Sequence, residues 1–187
     1  MITPRPERLI GVILVLLLAG AVVLVAALAS GPGASQPETS VSPQGGPTGT
    51  TERAEVVRVV DGDTIVVRID GRQERVRYIG LDAPELADLV GGTPAECGAD
   101  DAAEANERLV AGAPLVLERD ASDRDRFGRL LRHAWIPGDE WRHVGVELVR
   151  GGAVEARSYP PDTGRDAELA AAERGAREAR AGIWGAC

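Results

Sequence analysis

Three short blocks of this chain place acids and arginines at spacings that could do chemistry. They are Val60-Asp61-Gly62-Asp63-Thr64, then Arg77-Tyr78-Ile79-Gly80-Leu81-Asp82-Ala83-Pro84-Glu85, then Asp125-Arg126-Phe127-Gly128-Arg129. Asp61, Asp63, Asp82 and Glu85 supply carboxylate oxygens, which hard cations such as Ca²⁺ prefer. Two carboxylates about 4 Å apart repel by on the order of 4 kcal/mol at an effective dielectric near 20. Such a cluster raises its own pKa values or binds a cation. A divalent ion there would act as a Lewis acid on a phosphate oxygen. Arg77 and Arg129 can donate paired hydrogen bonds to the other phosphate oxygens as negative charge builds. Glu85 is then left to orient or deprotonate a water. Singly, each block has a plainer reading: a turn, a helix cap or strand end, a solvated charge run. Metal-assisted chemistry on a phosphate rests on the order and spacing of all three.

The elements that must position these blocks are mostly strands. Alternating residues over 54–60, 64–69 and 75–81 predict three strands, with Asp61-Gly62-Asp63 and Asp70-Gly71 as the turns between them. Two more strands are expected over 114–119 and 130–136. Helices are expected over 98–110, ended by Gly112, then 143–150, stopped by Gly151-Gly152, then 165–181. Five strands and three helices predict an α+β chain built on a five-stranded OB-type barrel, which removes sheet edges by closure. An open antiparallel sheet with helices on one face is the alternative, and periodicity does not separate the two.

The 187 residues fit one such domain plus attachments. Residues 9–29 form an apolar run preceded by Arg5 and Arg8. About 20 apolar residues can span a bilayer, so 1–29 is expected to be a transmembrane signal anchor or a cleaved signal peptide. Either one exports the remainder, leaving it membrane-anchored or secreted. Residues 30–52, rich in Pro, Gly, Ser and Thr, are expected to be a flexible, disordered linker. The folded domain is expected over 53–187.

The net charge is −8, and all 21 basic residues are Arg. That balance argues against passive, non-specific nucleic-acid binding, which basic surfaces drive. It leaves room for an enzyme that touches a few phosphates. The 3% of aromatics also argues against long stacking platforms for single strands. In an exported protein the only two cysteines, Cys97 and Cys187, read first as a disulfide, with free thiols as the alternative. They cannot alone close a zinc site. His133 and His143 are expected to be structural, and Trp135, Trp141 and Trp184 to pack rather than stack on bases. Tyr78 should face away from Arg77 across its strand. No protein partner is called for, and a monomer is expected.

The three blocks, with the ending Gly182-Ile183-Trp184-Gly185, make residues 54–187 resemble the staphylococcal nuclease (thermonuclease) family. That resemblance implies an OB-fold barrel with three helices. It implies Asp63 and Asp82 as calcium ligands, Ala83 as a ligand through its backbone carbonyl, and Asp61 in the outer shell. It further implies Glu85 as general base and Arg77 and Arg129 as phosphate clamps. The implied reaction is Ca²⁺-dependent hydrolysis of DNA and RNA to 3′-phosphate ends. The family often has two pocket tyrosines after the second helix; here Ala156-Arg157-Ser158-Tyr159-Pro160 supplies only Tyr159 for substrate binding. A non-catalytic OB-type binding module and a displayed structural domain are the competing readings. Retention of Asp63, Asp82, Glu85, Arg77 and Arg129 favours the enzyme, because the acids would repel phosphate without a metal.

Overall fold

The computed structural model describes residues 45–187. The expected membrane helix and most of the expected linker lie outside these residues. Among the described residues, no helix is long and apolar enough to cross a membrane.

Strand β1 (Thr51–Val59) pairs antiparallel with β2 (Thr64–Ile69) on one side and β5 (Pro114–Glu118) on the other. β1 thus starts before the expected boundary at residue 53. The N–H groups of Thr48 and Gly49, also placed in the linker by composition, both donate to Glu118 Oε1 at 2.8 Å. The folded part therefore takes in the last residues of that segment. β2 turns into β3 (Arg72–Tyr78) through Asp70 and Gly71, which both take positive φ (48° and 81°). That backbone matches the twist of a two-residue hairpin, as the Asp-Gly pair predicts.

β6 (Leu130–Ile136) pairs antiparallel with β5 and parallel with β3, Val76 lying opposite Leu130 and Arg77 opposite Leu131. The β3–β6 pairing joins the two ends of the order β3-β2-β1-β5-β6 and closes the barrel. Closure decides between the two architectures open at the sequence level: five long strands and three main helices make an OB-type fold. A two-residue strand β7 (Arg142–His143) extends β6. A second small sheet pairs β4 (Leu81–Asp82) with β8 (Glu155–Ala156).

Helices α1 (Ala99–Val110), α2 (Val144–Arg150) and α3 (Asp166–Ala179) match the expected ones, and a single turn, α4 (Ile183–Ala186), follows. Ile65, Val67, Val76, Leu115 and Leu117 fill the core, joined by Val110 of α1, Val144 and Val149 of α2 and Leu169 of α3. The wholly buried apolar side chains contribute about 1.5–3 kcal/mol each relative to exposure. Cys97 and Cys187 form a disulfide that ties the C-terminal turn to the start of α1.

Both histidines, with Trp135 and Trp184, pack within the fold. His143 caps α2, its Nδ1 accepting from Val146 N–H at 3.0 Å, and its Nε2 lies 3.3 Å from His133 Nδ1. Burial first, then the neighbouring His133, pushes the His143 imidazole down to about 3. Trp135 is fully buried and donates its indole N–H to Glu118 Oε2 at 2.9 Å. The Arg177 guanidinium covers the Trp184 ring at 3.6 Å.

Candidate active site

The first acidic block is a tight turn between β1 and β2. Val60 N–H donates to the Thr64 carbonyl at 2.9 Å, and Asp61 Oδ1 accepts from Asp63 N–H at 3.0 Å. Gly62 is required by close approach: a Cβ there would stand 2.8 Å from the Cβ atoms of both Ala83 and Ala102. The turn is therefore wedged between the second block and α1. Asn106 of α1 fixes it from behind, donating to the Asp61 carbonyl at 2.9 Å and accepting from the Tyr78 hydroxyl at 3.0 Å. Tyr78 points into the core, opposite to Arg77, as strand alternation requires.

Asp63 is 1% exposed. Its Oδ1 accepts from Arg77 Nη1 at 2.5 Å and from the Thr64 hydroxyl at 2.9 Å, and its Oδ2 accepts from Ala83 N–H at 3.0 Å. Burial pushes this carboxyl up to about 7; Arg77 opposes the rise and the Asp61 carboxylate adds to it. Arg77 Nη2 meanwhile donates to Asp82 Oδ1 and to the Leu81 carbonyl, at 3.3 and 3.1 Å. One guanidinium thus spans both acids.

Asp82 reaches this position through the β4–β8 ladder, which sets it opposite Glu155. The same ladder brings the segment after β8 against it. Arg157 Nη1 donates to Asp82 Oδ2 at 2.5 Å, and the Tyr159 hydroxyl donates to Oδ1 at 3.3 Å.

Arg129 is placed by the parallel β3–β6 register. Leu131 lies opposite Arg77, and Arg129 comes two residues earlier, on the same face. Asp125 shapes its turn, with Oδ1 accepting from the N–H groups of Phe127 and Arg129 at 2.9 and 3.0 Å. Asp125 Oδ2 accepts from Arg129 Nε at 2.6 Å, on the inner edge of the guanidinium rather than its outer Nη pair. Burial alone would raise the Asp125 carboxyl, but Arg129 and the two backbone N–H groups outweigh it and hold it below the usual range.

A pocket of about 450 Å³ collects Arg77, Glu85, Phe127, Arg129 and Tyr159 on its walls. Glu85 is held at its backbone, its N–H donating to Glu96 Oε2 at 3.0 Å and its carbonyl accepting from Glu96 N–H at 2.9 Å. The residues singled out in the sequence therefore come together. Ala83 meets Asp63 through its N–H, which leaves its carbonyl, the group expected to face a metal, out of that bond. Among the described residues, no three His, Cys, Asp or Glu side chains converge as a ready metal cage. Arg77 and Arg157 occupy the Asp82 oxygens instead. Arg157 is the residue that sequence reasoning missed; the signal was a lone cation beside Tyr159 in a loop that composition describes only as Pro-containing.

Residues 75–186 match the family model described as "Staphylococcal nuclease homologue". The chain is 34% identical over 129 residues to the thermonuclease of Staphylococcus intermedius, covering 69% of this chain and 74% of that protein. It is 33% identical over 132 residues to the endonuclease YncB of Bacillus subtilis (strain 168), covering 68% and 59%. It is 31% identical over 143 residues to the micrococcal nuclease of Shigella flexneri, covering 71% and 73%. The matched stretch takes in Arg77, Asp82, Glu85 and Arg129 and ends with the last turn, Ile183–Ala186; Asp61 and Asp63 lie before it. A closed five-stranded barrel, a shared acid–arginine pocket and these matches lead to one conclusion: the chain belongs to the staphylococcal nuclease family.

Proposed function

We propose that this protein is an exported, Ca²⁺-dependent nuclease that hydrolyses phosphodiester bonds of DNA and RNA and leaves 3′-phosphate ends. One observation carries the reading: Arg77 bridges a buried Asp63 and Asp82 at the wall of a pocket that also holds Glu85 and Arg129. A carboxyl that burial, aided by its Asp61 neighbour and opposed by Arg77, pushes up to about 7 gains most from a nearby dication. The donor set is all oxygen, which suits calcium. Asp63, Asp82 and the Ala83 carbonyl would hold the ion, with Asp61 in its outer shell. When bound, it would neutralise the acids and polarise a phosphate oxygen.

The chain's own groups divide the remaining work. Arg77 and Arg129 donate to non-bridging phosphate oxygens, more strongly as charge accumulates in the transition state. Glu85 accepts a proton from the attacking water as the new P–O bond forms. The P–O5′ bond breaks, the 5′-oxygen takes a proton from solvent, and the phosphate stays on the 3′ side. Tyr159 lines the same pocket and would hold the nucleotide beside its phosphate. Export through residues 1–29 belongs to this reading; a mature N-terminus at Ser30 by mass spectrometry would select cleavage over a retained anchor.

The test is cleavage of a labelled single-stranded DNA by the purified protein in Ca²⁺ and then in excess chelator. Cleavage that disappears with chelator and yields 3′-phosphate ends supports the proposal. Equal cleavage with chelator contradicts the metal mechanism. Binding without cleavage in Ca²⁺ identifies a binding module instead.

A further inference from the structure

Arg157 belongs neither to the phosphate clamp nor to the acid set, yet it sits on a residue central to both. The β4–β8 ladder and the bond from Arg157 N–H to the Gly80 carbonyl at 2.9 Å pin its backbone alongside Asp82. Its Nη1 takes Asp82 Oδ2, while Arg77 and the Tyr159 hydroxyl take Oδ1. Both side-chain oxygens of Asp82 are therefore engaged by donors, and a cation approaching Oδ2 competes with the Arg157 guanidinium that holds it.

The two arginines are not equally replaceable. Arg77 is 16% exposed and is also held by Asp63 and the Leu81 carbonyl. Arg157 is 61% exposed, and among the described residues Asp82 is the acid it pairs with. Arg157 is therefore the group that yields when a dication approaches. Its guanidinium already lies 5.7 Å from the centroid of the Tyr159 ring, which lines the pocket that holds Arg77 and Arg129, so a group released from Asp82 has that pocket beside it. A planar guanidinium there fits a phosphate oxygen.

We propose that Arg157 is a positioning residue that exchanges partners. It holds Asp82 while the site lacks a cation, releases that carboxylate when calcium binds, and then donates to a phosphate oxygen of the nucleic-acid strand. This rests on the reading of Asp82 as a calcium ligand. Removing Arg157 should then help the cation and harm the substrate. The ion pair is largely solvated, so its loss tightens calcium only about two- to fivefold. Losing a charge-assisted bond to phosphate raises KM about tenfold. The bond is made to the bound strand as much as to the transition state, so kcat falls less than KM rises.

The experiment uses the full chain, wild type and Arg157→Ala. Calorimetry with CaCl₂ alone gives cation affinity; steady-state cleavage of single-stranded DNA at saturating Ca²⁺ gives KM and kcat. A thermal midpoint close to wild type checks that the variant is folded, and Arg157→Lys, which keeps the charge but not the fork, should fall between the two. Tighter calcium together with a raised KM supports the exchange. Calcium affinity that is unchanged or weaker, or an unchanged KM, overturns it. A wild-type protein that binds no calcium overturns both this proposal and the calcium reading; a wild type that binds calcium and cleaves while the variant matches it overturns this proposal alone.

Discussion

A carboxylate with almost no water contact is costly to keep ionised, and Asp63 is kept in that position by four groups. Arg77, the Thr64 hydroxyl and Ala83 N–H bind its oxygens, and Asp61 caps its own N–H. The same Arg77 reaches Asp82, so a single side chain fixes the spacing of both acids. At this scale the expected outcome is specific. Arg77→Ala and Arg129→Ala should each lower kcat by about 10²-fold or more, as when a donor to a developing oxyanion is removed. Steady-state kinetics at saturating Ca²⁺ checks it. A loss confined to KM would mean that these groups bind the strand without favouring the transition state. Arg77→Ala should also lower stability, since it leaves a buried carboxylate without its partner. Arg129 is not bonded to Asp63, so Arg129→Ala separates the catalytic loss from the structural one.

The elements converge through pairings of very different range. The hairpin at Asp70-Gly71 and the helices over 99–110 and 144–150 were legible in the sequence because their signals are local: turn residues, apolar spacing, a glycine stop. The parallel β3–β6 contact was not, because it joins segments more than fifty residues apart and leaves no local mark. Nor was the β4–β8 ladder, two residues long on each side, too short for any periodicity. That ladder is what sets Arg157 and Tyr159 on Asp82, which explains why the acids, Arg77 and Arg129 could be named from sequence and Arg157 could not. The Cys97–Cys187 pair was legible from an even cysteine count in a chain expected to be exported. It closes a loop of 90 residues and holds α4 against the start of α1. Reduction, or Cys187→Ser, should cost about 4.6 kcal/mol in the chain-entropy model, read as a lower denaturation midpoint. An unchanged midpoint would show that the core alone holds the C-terminal turn. Gly152 makes the same junction tight: a Cβ there would stand 2.1 Å from the Ala181 carbonyl oxygen, at a φ of +67°. That leaves the C-terminal turn little room to rearrange around either cysteine.

Across the whole domain, charge is managed by buried partners rather than by excess cations. The chain carries −8 with no lysine, so on the proposed function the strand is held by a few placed guanidinium groups rather than by a basic surface. Glu118 shows how the fold itself depends on such pairing. Burial would raise its carboxyl, but the N–H groups of Thr48 and Gly49, the Trp135 indole and Arg165 together hold it at about 2. Its stabilising effect is therefore complete above the ordinary value of 4.5 and is lost as pH falls toward 2. The buried His143 adds to acid sensitivity earlier. It stays neutral in the fold down to about 3, while the unfolded chain takes up its proton below the ordinary 6.5. Asp63, raised to about 7, works the other way between about 7 and 3.8, because the fold takes up its proton before the unfolded chain does, so the decline should become steep below about 4, where that offset is spent. Glu118→Gln should be less stable than wild type at pH 7 but lose less on acidification, as denaturant titrations at several pH values would show; a parallel decline in both proteins would remove Glu118 from the explanation. The central claim concerns the acids at the pocket, and calcium titration of wild type, Asp63→Asn and Asp82→Asn by calorimetry tests it most directly. The account predicts one calcium per wild-type chain and little or no binding in either variant. Calcium binding of undiminished affinity in both variants would contradict it.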